Sequence, residues 1–338
     1  MMPLPISVFD PALPGLGTAL DPSSMSSRLR ELLESQTTPS PHGWRVVGVD
    51  VVKHKLGRRC SLAYTVEGPS GRGRLFAKTF KNDRGASIFV NMAKFAQAIA
   101  QKELVVPRPL GYLPDIKLLV TEFLEGQSMA VALYEGRSEE PARRMATAIA
   151  VLHGCGVACA RKWNPAKEIR NTAEWVTGLY GRSPAAPGRG RVLLQALESW
   201  SGLLPSDPET PVHRDFYPEQ IWDCGCATAL LDLDDTRSGD PAMDLGNFLA
   251  HLRLRPMQFP ETARGCERAR PAFLDEYLRL RPDQEEDRSF QERVRFYEAT
   301  ALLRLSGVYG ARDHWAKVLP SRLLDACESV MKDEGAGS

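Results

Sequence analysis

Two aspartates, Asp215 and Asp232, stand 17 residues apart, and each follows a short apolar run. The first lies in Val212-His213-Arg214-Asp215-Phe216-Tyr217-Pro218-Glu219-Gln220-Ile221-Trp222, the second in Ala229-Leu230-Leu231-Asp232-Leu233-Asp234-Asp235. Cys224-Gly225-Cys226 supplies a chain reversal between them, and a hairpin of that length returns the second carboxylate to the first. A lone aspartate at a strand end more often caps a turn than reacts. Two that face one small volume can divide the work of phosphoryl transfer: one accepts a hydroxyl proton, the other holds Mg²⁺ on the phosphates.

The order His-Arg-Asp, then a side-chain amide five residues after the aspartate, then Asp at the end of the next strand is that of kinase catalytic and metal loops. Gly239-Asp240-Pro241-Ala242-Met243-Asp244-Leu245-Gly246 follows, and predicts a helix with Asp240 as N-cap and Pro241 as its first residue. On these three blocks the sequence resembles the aminoglycoside phosphotransferase and choline kinase family. Lys78 and the helix ending Leu152-His153-Gly154 are similar to family features too. The resemblance runs over roughly residues 44 to 310 and specifies a superfamily rather than a substrate. It implies an α+β, two-lobed protein-kinase-like fold, with a small antiparallel-sheet N-lobe and a mainly helical C-lobe. The implied activity is ATP-dependent (GTP possible), Mg²⁺-dependent transfer to a small hydroxylated metabolite or antibiotic: aminoglycoside-like, amino alcohol or sugar.

By the same resemblance Asp215 is the catalytic base, and Asp232 and Gln220 are the metal ligands. Gln220 stands where most relatives carry Asn; it keeps the carbonyl ligand and adds one rotor. His213 is expected to be a packed scaffold near Asp240 or Asp244, because a loose transition state needs positioning more than a strong base. Arg214 has no activation segment to dock and is expected to pair with a local acid. Asp234 and Asp235 either contact substrate or solvate the loop. A protein kinase is disfavoured: there is no Asp-Phe-Gly or Ala-Pro-Glu, and Asp232 reaches Asp244 in 12 residues.

The elements that must position these groups follow from patterning. Residues 1–43 divide into a Pro-, Gly- and Ser-rich stretch, a short helix over Ser26–Glu34 and a linker, and read together as a flexible N-terminal arm. Residues 44–126 form the nucleotide-binding lobe, with strands Trp44–Val52, Cys60–Val66 and Arg74–Lys81 in a meander. The loop His54–Arg59, with Gly57 between cations, lies where kinase-like folds cover the phosphates. Alternation puts Phe76, Lys78 and Phe80 on one strand face, with Phe76 and Lys78 as nucleotide contacts. A helix over Ala86–Lys102 follows, and here the sequence departs from the family. That helix normally supplies a Glu to the strand lysine; Asn91 stands near its place, and Asp83 and Glu103 are the flanking substitutes. Leu118–Phe123 runs into a hinge whose backbone, at Glu122 and Leu124, is expected to hold the base of the nucleotide.

Residues 127–338 read as the helical lobe. Helices are predicted over Glu139–His153, Asn171–Tyr180 (opened by an Asn171/Glu174 capping box), Arg191–Leu204, Pro241–Leu252, Arg270–Leu280, Gln284–Val308 and Ser321–Lys332. The variable helices around 160–205 and 255–300 build the acceptor pocket, and Trp163, Trp175, Tyr180 and Trp200 either wall it or pack the core.

Bulk properties exclude other classes. The net charge is +1, with 16 Lys and Arg against 11 Asp and Glu in residues 1–126 and 27 against 31 in residues 127–338. No basic stripe or aromatic platform points to nucleic acid. No apolar run is long enough for a membrane, and no Lys or Arg precedes Arg28, so a secretory leader is not expected. Seven cysteines without framework spacing fit a reduced, cytoplasmic chain that is a monomer or weak homodimer. The alternative to an enzyme is a non-catalytic, nucleotide-binding pseudokinase, kept open by Gln220 and the missing helix carboxylate.

Overall fold

The computed structural model describes residues 8–34, 43–68, 71–100, 103–137, 139–179, 187–204, 209–225, 227–287 and 289–332. Two compact units divide the chain, Met1–Gln97 with Val106–Glu125 and Ala98–Val105 with Gly126–Ser338.

The first unit is built on β1 (Arg45–Lys55), β2 (Arg59–Gly68) and β3 (Gly71–Phe80), an antiparallel meander extended by the hairpin of β5 (Pro109–Leu113) and β6 (Leu118–Glu122) in the order β1-β2-β3-β6-β5. Residues 75 to 78 of β3 alternate, whereas Phe80, expected on the face of Phe76 and Lys78, is buried together with Thr79. Leu75 and Ala77 enter the sheet's buried cluster, while Phe76 and Lys78 project from the other face and remain half-buried.

The cluster on the first face holds more than the sheet. Leu13 is buried in it, as are Leu16 and Ala19 of α1 (Leu16–Leu20) and Met25 and Leu29 of α2 (Pro22–Glu34). The Tyr64 hydroxyl donates to the Ala19 carbonyl at 2.7 Å. Gly15 lies so close to β6's approach that a Cβ there would collide with the Ile116 carbonyl oxygen. The expectation of a flexible arm over residues 1–43 is therefore corrected for residues 8–34. Polar composition suggested solvation, but residues 16 and 19 on α1 and 25 and 29 on α2 recur at helical spacing and, with Leu13, cover a sheet face that would otherwise be wet. The linker expected at 35–42 lies outside the described residues.

Between the β3 strand and β5 runs α3 (Arg84–Ile99), which begins two residues before the expected start. In the second unit, β4 (Leu104–Val105), β7 (Gln127–Ser128), β9 (Ile221–Asp223) and β10 (Thr228–Leu230) form a small sheet, and β8 (Thr210–Val212) pairs with β11 (Arg237–Gly239). The helices are α4 (Ala130–Glu135), α5 (Glu140–His153), α6 (Pro165–Leu179), α7 (Pro187–Ser201), α8 (Ala242–Gln258), α9 (Ala263–Leu280), the short α10 (Pro282–Glu285), α11 (Phe290–Gly310) and α12 (Leu319–Lys332). Buried on nearly all sides, α11 is the axis of this unit. The Asn171/Glu174 capping box is not formed, because Asn171 lies inside α6. Asn164 caps instead: its side chain accepts the Lys167 N–H at 3.0 Å, with Pro165 as the first helical residue. No described helix is long and apolar enough to cross a membrane.

If residues 8–34 are part of the core, Leu16→Ala and Leu29→Ala each lower the unfolding free energy by about 2–4 kcal/mol in urea titration. A loosely attached arm leaves the midpoint where it was.

Candidate active site

The catalytic-loop strand β8 pairs antiparallel with β11, setting Val212 opposite Arg237. Immediately after it, the loop is tied at every residue. The His213 and Arg214 amides each donate to the Asp244 carboxylate at 2.7 Å, one to each oxygen. His213 Nε2 donates to the Leu231 carbonyl at 2.8 Å, and His213 Nδ1 accepts the Asp215 N–H at 3.3 Å. Both ring nitrogens are thus used in holding backbone, and the buried imidazole has no lone pair left to act as a base. Asn247 donates to the Phe216 carbonyl at 2.9 Å. The Phe216 ring itself stacks on Phe248, which stacks on Phe273.

Asp244 is fully buried in the first turn of α8, where the helix dipole favours a carboxylate. It also accepts from His153 Nε2 at 3.0 Å, and His153 Nδ1 meets the Tyr277 hydroxyl at 2.8 Å. Burial pushes His153 below its ordinary pKa, so it serves here as a neutral donor. Asp240 accepts the Ala242 N–H at 3.0 Å, but α8 starts at Ala242, one residue later than expected, so Pro241 and not Asp240 is its N-cap residue. Its second oxygen accepts from Arg293 at 2.9 Å, while burial still raises its pKa.

The hairpin forms as expected: β9 and β10 pair with Leu230 opposite Ile221. The Leu231 N–H then donates to the Gln220 carbonyl at 2.9 Å, while the Leu231 carbonyl accepts from His213. One residue therefore joins the Asp215 loop, Gln220 and the backbone leading to Asp232. Arg214 (φ 70°) and Asp232 (φ 58°) both hold left-handed backbone, a strain that persists only where the surroundings over-determine it. Among the described residues, the Asp215 carboxylate accepts no hydrogen bond. Burial raises its pKa; Arg304 and His213 oppose the shift, and Asp232 and Asp235 add to it. Asp215, Gln220 and Asp232 thus share one neighbourhood, and Asp234 is buried beside it.

The other expected contacts lie on the sheet unit. Lys78 Nζ stands 5.8 Å from the Phe76 ring centre. Asp83 is engaged elsewhere: Lys117 Nζ lies 3.1 Å from it and the Tyr112 hydroxyl donates to it, and Lys117 holds its carboxyl below the usual range. Glu103 belongs to the helical unit, where its carbonyl accepts the Thr228 N–H. The Glu122 amide donates to Arg108 and its carboxylate accepts the Arg108 N–H, whereas the Leu124 backbone makes no hydrogen bond among the described residues. Patterning missed Asp10: its buried carboxylate accepts from Gly57 N–H and binds His54 Nε2, both at 2.8 Å, pinning the β1–β2 turn.

Patterning also missed Asn247, Arg304, Glu168 and the role of Trp163. Asn247 was within reach, three residues after Asp244 on the same helical face. Arg304 carried no local signal; it arrives from α11, donates to Asn247 at 2.6 Å and lies 3.6 Å from Glu168. Trp163 stacks under Arg214, with the guanidinium carbon 3.4 Å from the ring centre, and donates to Glu168. Trp200 packs on Phe296 and the Trp175 backbone faces Gly307, so these three have different partners; Tyr180 lies outside the described residues. Among the described residues, no three His, Cys, Asp or Glu side chains form a metal cluster.

A Cβ at Gly246 would stand 2.5 Å from the Glu298 nitrogen, so α8 cannot meet α11 with a larger residue there. Gly246→Ala is expected to cost about 1–3 kcal/mol in thermal or urea unfolding, as overpacked cores do. An unchanged midpoint would show that this helix contact is loose.

Comparison with known proteins bears on the fold and the family. Among solved structures, a choline/ethanolamine kinase family protein from Mesorhizobium loti superposes with a TM-score of 0.59 at 17% identity, covering 91% of this chain and 95% of that one. Choline kinase from Cryptosporidium parvum gives 0.64 at 9% identity, covering 93% and 96%. A spectinomycin phosphotransferase in complex with ADP and spectinomycin gives 0.61 at 11%, covering 90% and 98%. At such identities the likeness establishes the fold, which is protein-kinase-like. No curated protein sequence matches the chain. The model of the phosphotransferase enzyme family matches residues 61–290, a span that takes in Lys78, the tied loop, both hairpin strands and the start of α8. The chain belongs to the phosphotransferase enzyme family.

Proposed function

We propose that the chain is an ATP- and Mg²⁺-dependent O-phosphotransferase for a small hydroxylated molecule. The observation that carries this reading is the contrast at Asp215: a backbone tied by Asp244, His213 and Asn247 presents a carboxylate that accepts no hydrogen bond among the described residues. Structural carboxylates in the same unit, such as Asp240 and Asp244, are saturated with donors. In the proposed reaction Asp215 accepts the acceptor's hydroxyl proton, the hydroxyl oxygen bonds to the γ-phosphorus, the bond from that phosphorus to the bridging oxygen breaks, and ADP leaves. His213 positions and transfers no proton. Lys78, half-buried on the face of β3 that carries Phe76, is the proposed phosphate contact, and Leu124 offers backbone groups to the base.

Asp232 and the Gln220 amide offer oxygen donors, one charged and one neutral, which suits Mg²⁺ bound largely by phosphates and water. Bound there, the ion neutralises charge on the phosphates. The solved relatives bound to AMP, or to GDP and kanamycin, support a nucleotide and a small acceptor.

Three outcomes test this. In a thermal-shift titration ATP with Mg²⁺ raises the melting temperature, Asp232→Ala removes the metal-dependent part, and Lys78→Ala weakens ATP binding while Asn91→Ala changes it little. Absence of any shift with ATP or GTP would contradict nucleotide binding. Asp215→Asn keeps nucleotide affinity and lowers turnover by a factor on the order of a hundred or more. Wild-type protein that binds nucleotide but transfers to nothing in a broad panel would instead be a nucleotide-binding module.

The third outcome concerns pH. A carboxyl whose folded pKa is raised destabilises the native state once it ionises, above its unfolded pKa. Asp215→Asn is therefore more stable than wild type at neutral pH, and the difference shrinks as pH falls through the usual carboxylate range. A variant less stable than wild type at neutral pH would show that Asp215 is held by partners.

A further inference from the structure

Three guanidiniums gather on the face of the helical unit that carries Asp215. Arg214 is the residue before it, and Arg237, Arg304, Glu168 and Asp235 all act electrostatically on Arg214. Arg304 is linked to Arg214 through Glu168, which lies 3.6 Å from Arg304 and accepts from the Trp163 indole that stacks on Arg214. Arg304 is also the strongest cationic influence on Asp215. Its side chain is 16% exposed, and the Glu168 contact at 3.6 Å is too long for a hydrogen bond.

Neither Arg214 nor Arg304 is completed by the protein. Each has a buried Nε without a hydrogen-bond partner among the described residues, and such a bond is costly to leave unmade. Arg214 is also retained where the backbone φ is 70°, a position that glycine would occupy without strain. It is held flat on the Trp163 ring, which fixes a planar cation in one orientation. A side chain that holds its charge against backbone strain and partial desolvation marks a functional demand for that charge.

We propose that Arg214 and Arg304 form an oxyanion-recognising face of the acceptor site. The hydroxyl delivered to Asp215 then belongs to a small molecule carrying a carboxylate or phosphate group, not to a polyamine. The inference rests on the phosphotransferase reading above. Guanidinium forks suit either oxyanion, whereas an ammonium would meet like charge at short range.

The test uses two series of compounds matched in everything but the charged group: glycerate, glycerol 3-phosphate, glycerol and 3-amino-1,2-propanediol; then glucuronate, glucose 6-phosphate, glucose and glucosamine. Thermal shift is read on the whole protein with a non-hydrolysable ATP analogue and Mg²⁺ at constant ionic strength. One anionic arm, carboxylate or phosphate, is expected to stabilise more than its neutral and amine counterparts, and which arm does so names the group. Arg214→Gly relieves the backbone and removes the guanidinium, so its folding stability holds or rises while the anion's affinity falls at least about tenfold. Arg304→Lys keeps the preference in part and Arg304→Gln loses it, with ATP affinity little changed in all three variants. A larger effect of the amines, no difference across both series, an anion preference that survives in Arg214→Gly and Arg304→Gln, or a loss confined to ATP affinity would each overturn the proposal. Transfer to the amines would leave the phosphotransferase reading intact; failure to bind the ATP analogue would remove that reading itself.

Discussion

The buried carboxylate of Asp244 is the constraint on which the helical unit's chemistry depends. It receives two backbone amides of the catalytic loop and one imidazole N–H, and through His153 and Tyr277 it ties that loop to α5 and α9. Hydrogen bonds to a charged group contribute about 1.5–3 kcal/mol each, enough to hold Arg214 in left-handed backbone against its strain. The carboxylate is itself favoured by the N-terminus of α8, and α8 can sit there because Gly246 lets it meet α11 closely.

The same economy governs the hairpin. Leu231 offers one N–H and one carbonyl, and both are used across the site, to Gln220 and from His213. Side chains that hold the loop are saturated, while Asp215 is not. In the sheet unit, alternation along β3 does the equivalent work: α1 and α2 cover the face of Leu75 and Ala77, which leaves Phe76 and Lys78 on the other. Asp10 reaches the β1–β2 turn from the same N-terminal segment, so that segment both seals the core and fixes a loop rich in cations.

What was legible in the sequence was what local chemistry determines. Two strands and a Gly-containing reversal predicted the hairpin, and Asp-Pro predicted a helix start that the structure places one residue on. The Asn171 cap failed because Asn164-Pro165 makes a better one seven residues earlier, and residue type alone cannot rank two caps in one helix. The helix expected over Ser26–Glu34 forms the later part of α2, but α1 and the burial of both helices were missed because their apolar residues are sparse and find partners only on a sheet formed later in the chain. Arg304 lies 89 residues beyond Asp215, and Asp10 lies 47 before Gly57; no periodicity links residues across such distances. The strain at Arg214 is a backbone property and leaves no mark in residue order.

If Asp244 sets the geometry of the catalytic loop, its loss must disable transfer even in protein that remains folded. The direct measurement is phosphoryl-transfer turnover of Asp244→Ala, made below its own melting temperature and set beside Asp215→Asn. Removing one partner from a buried charged cluster costs about 3–5 kcal/mol, so the variant melts earlier, and its folded form is expected to be as inactive as Asp215→Asn. Folded Asp244→Ala with wild-type turnover would contradict the account.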